Sequence, residues 1–368
     1  MEIKNNCRFF RGDKPCKFKR TCENCPYFKE FDTKILIIKC SAMGDVLRTT
    51  TLLPGLKRKY PDSHISWLVD SESEELLINN PYIDRIITYD LEEIPRFLIE
   101  KYDILICLDK EVKSIALATR INAKEKFGFG MNQFGNLTIF NEASKYAFRL
   151  GVDDELKFYK NRKTYQEIIY EICEIKYEND DYIFILNEKN KKKAKEFFSK
   201  NKIPPKKCIG LNTGAGTKFE TKRWPKEHFL SLIKLLKENL DVNIFLLGGE
   251  KEKEINNWII KNSSYKIYNT GTNNSLLEFA GFLSLMDLIV SSDSLAMHLA
   301  IALKKKVIAL FGPTCPQEIE LYSRGKKLYA GVECSPCYKK FCEDLKCMKK
   351  IKPLEVFNEI EKLLKNEK

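Results

Sequence analysis

Asp45 stands where the apolar "KILIIK" gives way to "CSAMGDVLRTT", at the mouth of a strand-to-helix turn. A carboxylate at that place can cap a helix and favour its dipole. It can also face a ligand and accept a proton from it. A second stretch, "NTGAGTKFETKRWP" (212–225), follows "CIGL" and leads into a helix that Pro225 helps to start. It gathers Thr213, Gly214, Gly216, Thr217, Lys222 and Arg223. Glycines let backbone N–H groups approach an anion closely, and a nearby Lys supplies charge. Neither "GxxxxGK[ST]" nor "GxGxxG" is present, so a plain strand-to-helix loop is the competing reading. Further candidates are "LGGEKEKE" (247–254) and "SSDSLAMHLA" (291–300) with the "ALFGPT" that follows it. Asp293 and Ser294 open a helix and are good capping residues. His298 lies on the first turns of that helix. It reads either as a core residue or as a ligand contact beside an anion-binding helix start.

Thirteen cysteines are many for a chain of 368 residues, and eight of them fall into two groups. Cys7, Cys16, Cys22 and Cys25 form C-x8-C-x5-C-x2-C, and Cys334, Cys337, Cys342 and Cys347 form C-x2-C-x4-C-x4-C. Four thiols with one tight pair are what a structural Zn or an iron–sulfur cluster requires. Unrelated surface and core cysteines are the alternative. The other five read as small buried residues.

The elements that must position these residues alternate strand and helix from residue 34, which is the rhythm of a parallel sheet covered on both faces. "KILIIK", "HISWLV", "DRIITYD", "YDILICLD" and "KEKFGFGM" are the strands of a first half, with "GDVLRTTTLLPGLKRKY" predicted as one helix. A helix around "RKTYQEIIYEICEI", a short strand "YIFIL", a Lys-rich helix "EKNKKKAKEFFSK" and the linker "NKIPPKK" follow. The alternation then restarts with "CIGLN", "VNIFLLG", "YKIYNTG", "DLIVSS" and "KKVIALFG" as strands. The expected division is a Cys-rich extension (1–33), an α/β domain (34–200), a second α/β domain that includes the Cys-rich segment 334–347 (201–352), and a final helix (353–368). Ligands of such sheets bind beyond the carboxyl ends of the strands, here in a cleft between two halves.

The apolar runs are too short to span a bilayer, and "MEIKNNCRFFRGDK" has no apolar signal-peptide core, so a cytoplasmic protein is expected. Lys and Arg outnumber Asp and Glu by 63 to 51, a net charge of +12. That balance suits a Lys-rich solvated surface or an anionic partner.

"ILIIKCSAMGDVLRTT", "GLNTGAGTKFETKRWPKEHF", "NTGTNNSLLEFAGFLSLMDLIVSSDSLAMHLAIALKKKVIALFGPT" and the Cys-rich tail together resemble glycosyltransferase family 9, the ADP-heptose:lipopolysaccharide heptosyltransferases, over roughly residues 34–365. The resemblance implies a GT-B architecture: two Rossmann-like domains, the first for the acceptor and the second for the nucleotide sugar. It implies inversion at the anomeric carbon without a catalytic metal. It also implies Asp45 as base, Lys222 on the donor phosphates, and Asp293, Ser294 and His298 along the diphosphate; Thr213 and Gly214 are expected as donor contacts from the glycine- and hydroxyl-bearing loop 212–225 itself. The final helix of such proteins packs back on the first domain. The expected partners are a nucleotide-sugar donor and a lipid-linked or phosphorylated glycan acceptor, with peripheral contact at the inner membrane face and no nucleic acid. Some relatives that modify proteins carry iron held by cysteines, which favours iron beside Zn at the two groups. Two departures stand out. Leu295 occupies a position where the family has Gly, leaving less room for close backbone approach, and the four-cysteine extension is additional. The competing readings are a glycosyltransferase acting on a protein or another glycan, a non-catalytic sugar-nucleotide sensor, and a basic four-cysteine nucleic-acid-binding protein.

Overall fold

The computed structural model describes residues 2–12, 14–216 and 219–365. The chain folds as two compact units: residues 1–153 with 166–180, and residues 154–165 with 181–368.

The first unit is built on six strands: β1 (Lys34–Ile38), β2 (His64–Val69), β3 (Arg85–Thr88), β4 (Lys101–Cys107), β5 (Asn122–Met131) and β6 (Leu137–Ile139). Their order is β3-β2-β1-β4-β5-β6, parallel except for the antiparallel β5–β6 pair. The run "ILII" in β1 is fully buried, as a central strand with both faces covered must be. Trp67 is buried on β2 and donates its indole N–H to the Lys39 carbonyl at 3.1 Å.

The second unit repeats the plan with β7 (Lys207–Asn212), β8 (Val242–Leu247), β9 (Tyr268–Asn269), β10 (Leu288–Ser292), β11 (Lys306–Phe311) and β12 (Gly325–Tyr329). The order β12-β11-β10-β7-β8-β9 is that of the first sheet, and every pair is parallel. Both are doubly wound, Rossmann-like sheets. In each, the strand order reverses beside the first strand, between β1 and β4 and between β7 and β10. The crevice beyond the carboxyl ends at that point is where such sheets bind ligands.

The structure corrects several expected elements. The helix predicted over 44–60 is two, Met43–Thr49 and Leu52–Lys59. Between them the hydroxyls of Thr49, Thr50 and Thr51 turn back to the carbonyls of Asp45, Leu47 and Arg48 at 2.6, 2.6 and 3.0 Å, and Pro54 brings no N–H for the next turn. "YIFIL" (182–186) forms no strand. The Lys-rich helix Glu188–Lys200 lies in the second unit, against the helix Leu276–Ser284. Gly281 meets the Asn190 backbone there, and Phe197 packs edge-on to Phe282 with 5.5 Å between ring centroids. The final helix, Pro353–Lys365, was expected back on the first domain. Its buried Val356, Phe357 and Ile360 instead belong to the core of the second unit, with Trp224, Leu232 and Leu310.

Candidate active site

Asp45 lies in the first turn of the helix Met43–Thr49, just beyond β1. Ala42 holds the N-cap position, with no side-chain cap, so capping does not account for the carboxylate. Asp45 instead pairs with Arg48 at 2.8 Å, one helical turn on, and its side chain remains 37% exposed. A carboxylate fixed by one cation and open to solvent on another side can receive a proton from a bound hydroxyl.

Sequence reasoning missed the group that shapes this turn. Asp109, just beyond β4 and 2% exposed, accepts from Lys39 Nζ at 2.6 Å, from the Cys40 N–H at 2.6 Å and from Ser114 Oγ at 3.1 Å. Lys39 Nζ also donates to the Ser41 carbonyl at 2.5 Å. One buried carboxylate thus ties the ends of β1 and β4 together immediately before the Asp45 helix. The same charge, with burial, pushes the Cys40 thiol up to about 12, burial being the larger cause. The available signal was an Asp at a strand end, which looks like any other in the chain.

At the equivalent point of the second unit, β7 and β10 deliver their loops side by side. The Asn212 amide donates to the Gly214 carbonyl at 3.0 Å, to Ser291 Oγ at 3.1 Å and to Ser294 Oγ at 3.3 Å. The two serine hydroxyls lie 3.0 Å apart. Ser294 is the N-cap of the helix Leu295–Ala302, but its hydroxyl makes no cap bond and joins this network. The first N–H groups of that helix have no intrahelical partner, which makes its start a natural place for an anion. Leu295 is the first residue of the helix.

Lys222 reaches this helix start from its own short turn. Its ammonium lies 2.9 Å from Asp293 Oδ2 and 3.1 Å from the Asp293 carbonyl. His298 Nε2 stands 4.0 Å from Asp293 Oδ1, and its Nδ1 lies 3.2 Å from the Tyr182 hydroxyl. Burial pushes the Asp293 carboxyl up, but Lys222 and His298 outweigh it and hold the group below the usual carboxylate range. Lys222, Asp293, Ser294 and His298 therefore form one cluster. Thr213 does not join it. Its hydroxyl is buried and donates to Asn256 at 2.6 Å. Gly214 packs against the Glu252 side chain, whose carboxyl carbon would lie 2.7 Å from an added Cβ and would have to swing aside. Thr217 lies outside the described residues.

The "FGPT" loop is covered from behind by the second cysteine segment. Cys337 and Tyr338 both donate their N–H groups to the Pro313 carbonyl at 2.9 Å, and Ser335 Oγ donates to the Gly312 carbonyl. A Cβ at Gly312 would collide with Met348 and Cys347. Thr221 Oγ1 bonds the Lys339 carbonyl at 2.7 Å, and Trp224 Nε1 the Ile351 carbonyl at 3.1 Å. Cys334 is exposed, Cys337 and Cys342 are half-buried and Cys347 is buried. Cys7, Cys16, Cys22 and Cys25 are half-buried and line one cavity near the N-terminus. Among the described residues, no three or more His, Cys, Asp or Glu side chains are gathered as ligands of a single metal ion.

A family model, glycosyltransferase family 9 (heptosyltransferase), matches residues 94–348. The chain is 30% identical over 298 residues to lipopolysaccharide heptosyltransferase 1 of Campylobacter coli, covering 76% of this chain and 84% of the relative. Among solved structures it is similar to the glycosyl transferase family 9 protein of Veillonella parvula, with a TM-score of 0.73 and 21% identity over 91% of this chain and 98% of that one. It is also similar to the E. coli heptosyltransferase WaaC with ADP-2-deoxy-2-fluoro heptose, with a TM-score of 0.57 and 19% identity over 89% and 99% of the two chains. These folds share the arrangement of two Rossmann-like parallel-sheet domains, the GT-B architecture. With the family model spanning more than half of its length, and a relative at this identity covered over most of its own, the chain belongs to glycosyltransferase family 9 and is a glycosyltransferase.

Proposed function

We propose that the protein transfers a heptose from ADP-heptose to a lipopolysaccharide core or related glycan, with inversion at the anomeric carbon. The observation that carries this reading is the cluster at the ends of β7 and β10. There the Lys222 ammonium, held by Asp293, and the Ser294 hydroxyl lie beside the start of the helix Leu295–Ala302. Such a set suits a nucleoside diphosphate, whose charge grows as it leaves. Lys222 and the N–H groups of the helix Leu295–Ala302 take up that charge, so the reading assigns no step to a metal. The names of the relatives supply the sugar and the acceptor class: the Campylobacter coli protein is a lipopolysaccharide heptosyltransferase, and the WaaC structure holds an ADP-linked fluoro-heptose.

In this mechanism the acceptor hydroxyl attacks the anomeric carbon from the face opposite the diphosphate. The bond to the leaving phosphate oxygen breaks, ADP departs, and the hydroxyl proton passes to the Asp45 carboxylate. Arg48 holds that carboxylate in place. Asp293 positions Lys222 rather than meeting substrate, since a carboxylate repels phosphate while fixing the ammonium beside it. The net charge of +12 suits a phosphorylated acceptor at a membrane face on the cytoplasmic side. No helix among the described residues is long and apolar enough to cross a membrane.

The test is a transfer and hydrolysis screen against ADP-, UDP- and GDP-sugars, with calorimetry of donor binding to the wild type and to Lys222→Ala. Turnover should be confined to ADP-heptose. Lys222→Ala should weaken donor binding at least tenfold, because one charge-assisted contact is worth about 1.5–3 kcal/mol. Equal donor affinity in the variant removes Lys222 from the site. Binding of ADP-heptose without transfer to any glycan makes the protein a sensor, and transfer to a polypeptide makes it a protein glycosyltransferase.

A further inference from the structure

The described part of residues 2–33 contains no helix and no strand, only an isolated antiparallel bridge between Cys7 and Glu30. The segment is nonetheless held in place. Arg8 donates to Asp84 at 2.7 Å and to the Ser63 carbonyl at 2.8 Å, with both charged side chains largely buried, and Phe31 packs on His64. A segment this short has too little apolar interior to fix its own shape, and small modules of this size are usually stapled. Its centre is a cavity of about 390 Å³. Cys7, Cys16, Cys22 and Cys25 all line it, four thiols drawn from a stretch of 19 residues, with the aromatic rings of Phe9, Phe18 and Tyr27 as part of the wall.

The geometry separates two kinds of metal site. A single Zn takes its sulfurs at about 2.3 Å, which sets them roughly 3.8 Å from one another and leaves no volume among them beyond the ion. No such gathering exists among the described residues. A cubane iron–sulfur core has one thiolate on each of four irons. It therefore needs four thiols around one shared space larger than a single ion, and Cys7, Cys16, Cys22 and Cys25 line one such cavity. The charge also fits. When the site loads, each thiol gives up its proton and each sulfur bonds one iron of a preformed [4Fe–4S]²⁺ core, with no change in electron count. The core with its four thiolates then carries two negative charges. Residues 1–33 hold eight Lys and Arg against five Asp and Glu, a surplus of three positive charges.

We propose that Cys7, Cys16, Cys22 and Cys25 hold a [4Fe–4S] cluster that fills this cavity and fixes residues 2–33 against the first sheet. The site is independent of the glycosyl-transfer reading, and its test does not depend on turnover.

The full-length chain is purified without oxygen, or reconstituted with equal ferrous and ferric iron and sulfide, and its iron, zinc and acid-labile sulfide are measured per chain. The expected result is about four irons and about four sulfides, with a broad visible absorption. Cys22→Ser with Cys25→Ser should lose iron, sulfide and colour together. Cys334→Ser with Cys342→Ser, at the other cysteine group, should keep all three. Should the first variant fail to fold, two measurements on the wild type decide: the iron-to-sulfide ratio, and limited proteolysis of residues 2–33 before and after an iron chelator, which should become at least tenfold faster. Zinc in place of iron, iron without sulfide, two irons with two sulfides, no metal at all, or loss of the cluster only in the second variant would each overturn the assignment.

Discussion

Replacing Asp109 by Asn should destabilise the first unit far more than a surface carboxylate change does, and should impair turnover as well. Asp109 and Lys39 are 2% and 8% exposed and lie 2.6 Å apart. Asn keeps the shape and can still accept from the Cys40 N–H, but it removes the carboxylate charge that faces the buried Lys39 ammonium at 2.6 Å. Breaking one side of a buried pair costs about 3–5 kcal/mol. By contrast, Lys206 and Asp241 are as close, at 2.5 Å, but 40% and 79% exposed, and such pairs contribute about 0–1 kcal/mol. For a unit of about 170 residues, 1 kcal/mol moves the melting temperature by roughly 2–4 °C. Asp109→Asn should therefore lower it by roughly 6–20 °C, and Asp241→Asn by less than about 4 °C. Differential scanning calorimetry of the full chain measures both. A shift for Asp109→Asn no larger than that for Asp241→Asn would refute the reasoning. A double variant, Lys39→Met with Asp109→Asn, should regain most of the loss, because the buried ammonium is then removed as well while Asn still accepts from the Cys40 N–H. Turnover should fall in Asp109→Asn even where the protein is folded, since Asp109 fixes Cys40 and, through Lys39, the Ser41 carbonyl at the start of the Asp45 helix.

Asp45→Asn should keep the fold and donor affinity while lowering turnover at least about a hundredfold, read by ADP release; turnover like that of the wild type in a folded variant removes Asp45 as the base. Gly281→Ala should cost about 1–3 kcal/mol, because its new Cβ would stand 2.4 Å from the Asn190 carbonyl oxygen; an unchanged calorimetric transition would mean that the two helices part without cost. His64 is held below the ordinary histidine range, chiefly by burial, and its Nδ1 has no hydrogen-bond partner among the described residues. The unfolded chain therefore takes up that proton first. Stability is full above about pH 6.5 and falls as the pH drops from there toward the lower folded value, so urea midpoints at acid pH should decline less steeply in His64→Gln than in the wild type.

Much of the plan was legible in the sequence, because the apolar strand runs and the glycine-, serine- and aspartate-bearing strand ends carry strong local signals. "ILII", "VNIFLL" and "VIALF" could be little else than covered strands, and the strands they form place "SAMGD", "NTGAG" and "SSDS" at carboxyl ends. What was not legible depends on partners distant in the chain. Asp109 acts on Lys39 and Cys40, some 70 residues earlier. Thr213 looks like a phosphate contact from its neighbours, yet its hydroxyl is taken by Asn256. The three threonines at 49–51 read as ordinary helix positions until their hydroxyls are seen to bond the preceding turn. The final helix has an apolar face that any domain could bury, and only packing decides which. Each cysteine group announced itself by spacing, but only the fold shows that all four of the first line one cavity.

The cover over the loops at the carboxyl ends of the second sheet has a consequence for how the protein is made. Trp224 is fixed by the Ile351 carbonyl, 127 residues later in the chain, and Gly312 is fitted against Cys347 and Met348. Synthesis proceeds at about 5–20 residues per second, so Trp224 waits roughly 6–25 s for its partner to be added. Through that interval the sheet from β7 to β11 can assemble, while the loops at its carboxyl ends still lack their backing. A nascent chain therefore acquires the sheet of its second unit well before the loops at the carboxyl ends of that sheet are braced, and the cluster of Lys222, Asp293 and Ser294 gains its backing only once residues 335–351 have been added.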